Sequence, residues 1–339
     1  MSEKKGYLSN RGLMVIGIVS LVILVVGIIL CYFGLNEEFY SESDSMRAIF
    51  EAITYLGEPI VFLVIIVVIF LGYNKILAKN LLLSILVSYY VNEWIKEIFQ
   101  DDRPITNNDT SEDYDLIEPS YGFPSGHSQN AVAYWGYLSY EFKDNFKYKE
   151  IPILPVILSF VIFLVAISRI IIGVHDLQDI IGGLLIGIGI LLLFIYLEPI
   201  LSDQFNKLNI AVKIILAICI SVGTFLVGTL LFPKAGLGLA STPPSYADEG
   251  AFGLVGGVLL GFGVGYILEQ QYVKYNPSIL TNKTKLINVL VGLVIALVIF
   301  FPLEYLLEID STFYRYFRYA LIAFVISYVI PLLCVKINK

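Results

Sequence analysis

Charge is what this chain has least of. Lys, Arg, Asp and Glu make up only 15% of its 339 residues, hydrophobic residues reach 57%, and mean hydropathy is +0.79. A soluble domain carries about 25% charged and roughly 45–50% apolar residues, so a water-covered globule is excluded. Cysteine is scarce too: Cys31, Cys219 and Cys334 lie far apart, each inside its own apolar run. That spacing excludes a disulfide framework or a thiolate metal site and predicts buried free thiols. No basic patch with interleaved aromatics is present, which excludes a nucleic-acid partner. The 23 Tyr and 22 Phe read instead as lipid-facing and interfacial packing. Asp101 and Asp102 stand without a second acidic cluster and read as a solvated loop rather than a magnesium site. Histidine is the scarcest titratable residue, with only His127 and His175.

What the chain does have is apolar runs of about 20 residues, the length that crosses ~30 Å of hydrocarbon. Ten spans are predicted, at 12–33, 56–73, 80–99, 125–142, 151–171, 177–199, 209–232, 251–268, 286–306 and 314–335. The fold class is all-α, a polytopic helical bundle in lipid. The first run follows Lys4, Lys5 and Arg11. It exceeds the roughly 7–15 residues of a cleaved signal's core and lacks a small-residue cleavage site, so a retained signal-anchor helix is expected.

Basic residues set the orientation, because basic loops stay in the cytoplasm. With ten spans, 15 of the 22 Lys and Arg fall on one side, including Lys75, Lys79, Lys143, Lys147, Lys149, Lys207 and Lys213. The other side holds seven: Arg47, Lys96, Arg103, Arg169, Lys234, Arg315 and Arg318. Both termini are expected in the cytoplasm. Of two Asn-x-Thr sequons, Asn108 is predicted on the outer side and Asn282 is not. A boundary is expected near residue 200, giving a six-helix core over 1–200 and a four-helix extension over 201–339. The glycines of 253–265 suit close helix packing there.

Both histidines and three of the outer cations fall in three short segments. These read Lys96-x6-Arg103-Pro104, Pro124-Ser125-Gly126-His127 and Ser168-Arg169-x5-His175-x3-Asp179. A phosphoryl group presents negative oxygens, and guanidinium forks and an ammonium answer them. Lys96 and Arg103 are seven apart, two turns of a helix, and are expected on one face. Ser125 and Gly126 open the fourth helix, whose free N–H groups and dipole favour an anion. His175 and Asp179 are four apart, so Asp179 is placed to accept from Nδ1 and leave Nε2 as nucleophile. Ser168 reads as local hydrogen bonding, Asp176 as a solvated loop carboxylate, and Glu93 or Glu97 as an orienter of Lys96.

The three segments, in this order and spacing, resemble the signature of the phosphatidic acid phosphatase type 2 superfamily, which includes haloperoxidases, in its membrane-embedded lipid phosphate phosphatase branch. Gly173, two residues before His175, fits as well. The resemblance implies a metal-independent phosphatase without cofactor. His175 would attack phosphorus to form a phosphohistidine, and His127 would protonate the leaving oxygen and then activate water. Lys96, Arg103, Ser125, Gly126 and Arg169 would bind the phosphate. The substrate would be a lipid phosphomonoester or a polyprenyl diphosphate at the non-cytoplasmic face.

Other readings stay open on sequence. Phosphotransfer to an alcohol would give acceptor-dependent products, a soluble phosphoester could replace the lipid, and a lipid-phosphate binder or transporter would survive His175→Ala. The oligomeric state has no signature, and the extension could shape lipid access, dimerise or form a separate membrane module.

Overall fold

The structure, a computed structural model, describes residues 40–41, 43–101, 103–104, 120–148, 151–231, 251–305 and 311–337. The expected first span, Cys31, Asp102 and Asn108 lie outside these. The regular structure of the described residues is helical except for one two-strand hairpin. The elements are α1 (Asp44–Thr54), α2 (Pro59–Gly72), α3 (Lys75–Phe99), α4 (Gly126–Ala131), α5 (Tyr137–Glu141), β1 (Lys147–Tyr148) and β2 (Ile151–Pro152). Then come α6 (Ile153–Ile171), α7 (Leu177–Asn206), α8 (Ile210–Leu231), α9 (Ala251–Leu268), α10 (Asn282–Tyr305), α11 (Thr312–Phe324) and α12 (Ile330–Ile337).

Six helical segments among the described residues are long and apolar enough to cross a membrane: 153–171, 177–206, 210–231, 251–273, 282–303 and 312–337. A seventh is added if the bent pair 44–57 and 59–72 counts as one span. The expected spans at 80–99 and 125–142 are helical but outside this set. On α3 the reason is a row of buried polar residues, Asn80, Ser84, Ser88, Asn92 and Lys96, one turn apart, with Glu93 and Glu97 beside it. Polar side chains at membrane depth face protein rather than lipid. The helical stretch from α4 to α5 is short and continues through a π-helical turn at Val132–Gly136.

The chain forms two compact units, one of residues 1–58 and 99–201, the other of 59–98 and 202–339. In the first, α1 and α4 pack on α6. A Cβ on Gly183 or Gly187 would sit 2.6 Å from the Ser125 carbonyl oxygen or 2.7 Å from that of Gln129. Two glycines one turn apart therefore let α7 lie directly on the α4 backbone.

In the second unit, Gly253, Gly257 and Gly261 of α9 meet the backbone oxygens of Thr312, Tyr316 and Ala320 on α11, and Gly265 meets the Ser327 side chain. The glycine-rich stretch is thus a close-packing seam, as expected. Ser221 of α8 donates to the Gly256 carbonyl at 2.6 Å and pairs with the Tyr316 hydroxyl at 2.6 Å. The same unit holds α2 and α3. Lys75 Nζ lies 2.8 and 2.7 Å from the two oxygens of buried Glu269, which also accepts from the Tyr275 N–H at 2.7 Å. At the far end of α3, Tyr90 donates to the Thr224 carbonyl at 3.0 Å. Of the two described cysteines, Cys334 is buried and Cys219 is exposed, because the chain presents much of α8 outward as apolar surface suited to lipid.

Candidate active site

The site in the first unit is built at the end of α6. Arg169 is buried in the last turn, and the helix stops at Gly173, whose φ of 81° is left-handed. There Gly173 N–H donates to the Ile170 carbonyl at 3.0 Å and Val174 N–H to that of Arg169 at 3.2 Å. This is the Schellman arrangement, which needs a residue without Cβ strain at that position. His175 N–H donates to the same Arg169 carbonyl at 3.2 Å, so the turn fixes His175 against the backbone of Arg169.

α7 then begins with a reciprocal cap. Asp176 accepts from the Asp179 N–H at 3.1 Å, and Asp179 Oδ2 accepts from the Asp176 N–H at 3.3 Å. Asp176 is therefore a helix N-cap, not the solvated loop carboxylate expected. Burial pushes its carboxyl above the ordinary aspartate range, opposed by hydrogen bonds from Asp179 and Gln178. The same Asp179 oxygen faces His175 Nδ1 at 2.8 Å, in a pair almost wholly buried. A carboxylate at Nδ1 assigns the proton to that nitrogen and leaves the Nε2 lone pair for chemistry.

Nε2 of His175 lies 3.1 Å from Arg103 Nη1, which also donates to the Val174 carbonyl at 2.8 Å. The rest of that guanidinium is held by Ser120, through its carbonyl and, at 2.8 Å, its hydroxyl. Arg103 does not continue the helix of Lys96. α3 ends at Phe99, and Gln100 is left-handed with φ 50°. The expectation of one shared helical face is corrected on that ground. Lys96 is buried in the last turn of α3, in the second unit.

Backbone contacts lead from this pair to the other histidine. Ser125 N–H donates to the Asp179 carbonyl at 3.0 Å. Ser125 caps α4, its Oγ accepting from the Ser128 N–H at 3.4 Å and hydroxyl at 3.1 Å. The cap uses the oxygen as an acceptor. Gly126 is the first residue of α4, and His127 follows in the same turn.

His127 Nε2 lies 3.0 Å from Glu58 Oε1, and a Cβ on Gly57 would come within 2.9 Å of its ring. One turn before Glu58, Thr54 Oγ1 accepts from Arg169 Nη1 at 3.0 Å. These contacts, with the short chain links Ser125–His127 and Thr54–Glu58, close a ring: His175, Asp179, Ser125, His127, Glu58, Thr54, Arg169 and back to His175.

Of the residues expected in the site, His127, His175, Asp179, Arg103, Arg169, Ser125 and Gly126 thus come together in one unit. Ser168 donates to the Val165 carbonyl at 2.7 Å, the local bond expected. Sequence reasoning missed Thr54, Glu58 and Ser120. Glu58 left a signal, since it falls inside the predicted span 56–73, where a carboxylate marks function.

The chain is similar to known proteins. A family model described as the PAP2 superfamily matches residues 77–203, and one described as the PAP2 superfamily phosphatase, transmembrane extension, matches 253–339. The chain is 30% identical over 165 residues to phosphatidylglycerophosphatase B of Bacillus subtilis, covering 44% of this chain and 73% of that protein. It is 29% identical over 215 residues to lipid phosphate phosphatase delta of Arabidopsis thaliana, covering 59% of this chain and 46% of that one. A crystal structure of a transmembrane PAP2-type phosphatidylglycerolphosphate phosphatase from Bacillus subtilis is also similar, with TM-score 0.39, 22% identity, 56% of this chain and 96% of that one. With the motif residues assembled as described and a relative matched over most of its length, the chain belongs to the PAP2 superfamily and is a membrane phosphatase.

Proposed function

We propose that the protein hydrolyses a lipid phosphomonoester or a polyprenyl diphosphate through a phosphohistidine on His175, without a metal. The observation that carries this is the environment of His175: Nδ1 against Asp179 at 2.8 Å and Nε2 against Arg103 at 3.1 Å. A buried imidazole so held presents a lone pair beside a cation that attracts phosphate.

In the first step Nε2 attacks phosphorus, the P–O bond to the lipid breaks, and His127 gives its proton to the leaving oxygen. In the second, His127 takes a proton from water, the oxygen attacks phosphorus and the P–N bond breaks. Inorganic phosphate leaves and both histidines return to their first state. Arg103, Arg169, Lys96, the Ser125 hydroxyl and the first N–H groups of α4 stabilise charge on the non-bridging oxygens.

The chemistry belongs to 1–200, with 201–339 as an extension. We read ten spans, with both termini cytoplasmic and the site on the other face. The arrangement of the first unit supports this orientation. Arg169 is at the C-terminal end of the 19-residue α6, whereas Lys143 and Lys147 lie at or just before the hairpin that enters its N-terminal end.

The test is phosphate release from phosphatidic acid, other lipid phosphates and a polyprenyl diphosphate, with and without EDTA. His175→Ala should lower the rate by at least about 1,000-fold, and EDTA should leave the wild type unchanged. Activity lost in EDTA, or kept without His175, would overturn the mechanism.

A further inference from the structure

α1 is an inverted amphipathic helix. Met46 and Ile49, with Tyr55 and Leu56 just beyond its end, are 44%, 57%, 61% and 36% exposed. The polar residues Arg47, Glu51, Thr54 and Glu58 are instead buried or half-buried, at spacings of four, three and four. The first two spacings place Arg47, Glu51 and Thr54 along one face of α1, Glu58 follows just after the 3-10 turn at Tyr55–Gly57, and α1 packs on α6. Thr54 and Glu58 already contact Arg169 and His127. Apolar residues turned outward and polar ones turned to a phosphate site suit a helix lying at a membrane interface.

Arg47 is the one cation of this face, and the mechanism does not use it. Its Nε and Nη2 are buried and have no hydrogen-bond partner among the described residues, and its guanidinium stands over the Tyr40 ring at 5.3 Å. The next residue, Ser41, donates its N–H to the Ile171 carbonyl at 3.1 Å, two residues from Arg169 and four from His175. Arg47 is therefore tied to the site from both ends, by the Tyr40–Ser41 segment and by Thr54 seven residues on. Seven residues are about 10 Å along a helix at about 1.5 Å per residue. That is too far to share the oxygens bound by Arg169, but within range of a second anion on the same head group. Buried guanidinium nitrogens without a partner are costly unless an anion completes them.

We propose that Arg47 forms a second anion subsite, taking a phosphodiester that adjoins the scissile phosphate. The inference rests on the lipid-phosphatase reading above and adds to it a second anion beside the scissile phosphate. The phosphodiester comes either from the substrate itself or from a neighbouring lipid.

The test compares kcat/KM in neutral detergent micelles for phosphatidic acid, with one phosphate, and phosphatidylglycerophosphate, with a phosphodiester beyond the terminal phosphate. Arg47→Gln should lose about tenfold on the second and less than about twofold on the first. Arg47→Lys, which keeps the charge without the fork, should fall between. A second arm adds phosphatidylglycerol to phosphatidic acid micelles. Activation of the wild type but not of Arg47→Gln would assign the phosphodiester to a neighbouring lipid.

Equal losses on both substrates, or no loss with no difference in activation, would overturn the subsite. If the wild type releases phosphate from neither lipid, the phosphatase reading fails by itself. Phosphatidylglycerol binding to the same micelles then decides the subsite, and an unchanged affinity in Arg47→Gln rejects it.

Discussion

Nε2 of His127 faces the Glu58 carboxylate at 3.0 Å, so a proton on that nitrogen is shared with an acid whose side chain is 33% exposed. In the proposed mechanism the leaving oxygen takes that same proton. Glu58 therefore acts through His127, orienting the ring while Gly57 gives it room. Glu58→Gln keeps the shape and one hydrogen bond but removes the charge. We expect kcat to fall about tenfold with KM nearly unchanged, and Glu58→Asp to restore part of the rate. Equal kcat in wild type and Glu58→Gln would remove Glu58 from the reaction. Legibility differs between the two histidines for a physical reason. His175 and Asp179 are one turn apart, so their pairing is local and readable from spacing. Glu58 and His127 are 69 residues apart, and only tertiary packing of α1 and α4 on α6 brings them together.

At the scale of elements, the turn from α6 into α7 does three things in seven residues. It ends one helix at Gly173, fixes His175 and starts the next helix on the Asp176–Asp179 cap. Glycine before the histidine was visible in the sequence, but Asp176 looked dispensable because it lies outside the motif. Its work is on backbone N–H groups, which no motif of side chains records. Asp176→Ala should cost about 1 kcal/mol and lower activity through Asp179, whereas Asp176→Asn keeps the cap. The raised carboxyl also sets a sign. A carboxyl above its ordinary range binds a proton more readily folded than unfolded, so its contribution falls as pH rises through that window. Thermal melts in detergent should show a smaller decline with rising pH for Asp176→Asn than for wild type. Identical slopes would show that Asp176 does not titrate there. The helices themselves were legible from their apolar runs, and the glycine seam of α9 from its spacing of four. The break at Gln100 was not, because no glycine or proline marks it and the structure sets its left-handed φ of 50°.

For the molecule as a whole, the chemistry and the packing divide the chain differently. The catalytic motifs end before residue 200, yet residues 59–98, with Lys96 at the end of α3, pack in one unit with 202–339. The join is specific. Glu269 is wholly buried and closes on Lys75 at 2.7 Å, Tyr275 donates to the Leu71 carbonyl at 2.5 Å, and a Cβ on Gly292 would strike Leu71. Removing one partner of a buried ion pair costs about 3–5 kcal/mol, because the other charge is left uncompensated. The extension thus packs directly on the helix that carries Lys96. A chain stopped after residue 201 would leave Lys75, Leu71 and Tyr90 without these partners, and it should lose activity although every catalytic motif is present. Co-expressing 202–339 as a separate chain should restore phosphate release, and Glu269→Ala in that second chain should weaken the rescue. A truncated chain with full activity alone would show that 59–98 holds its position without the extension.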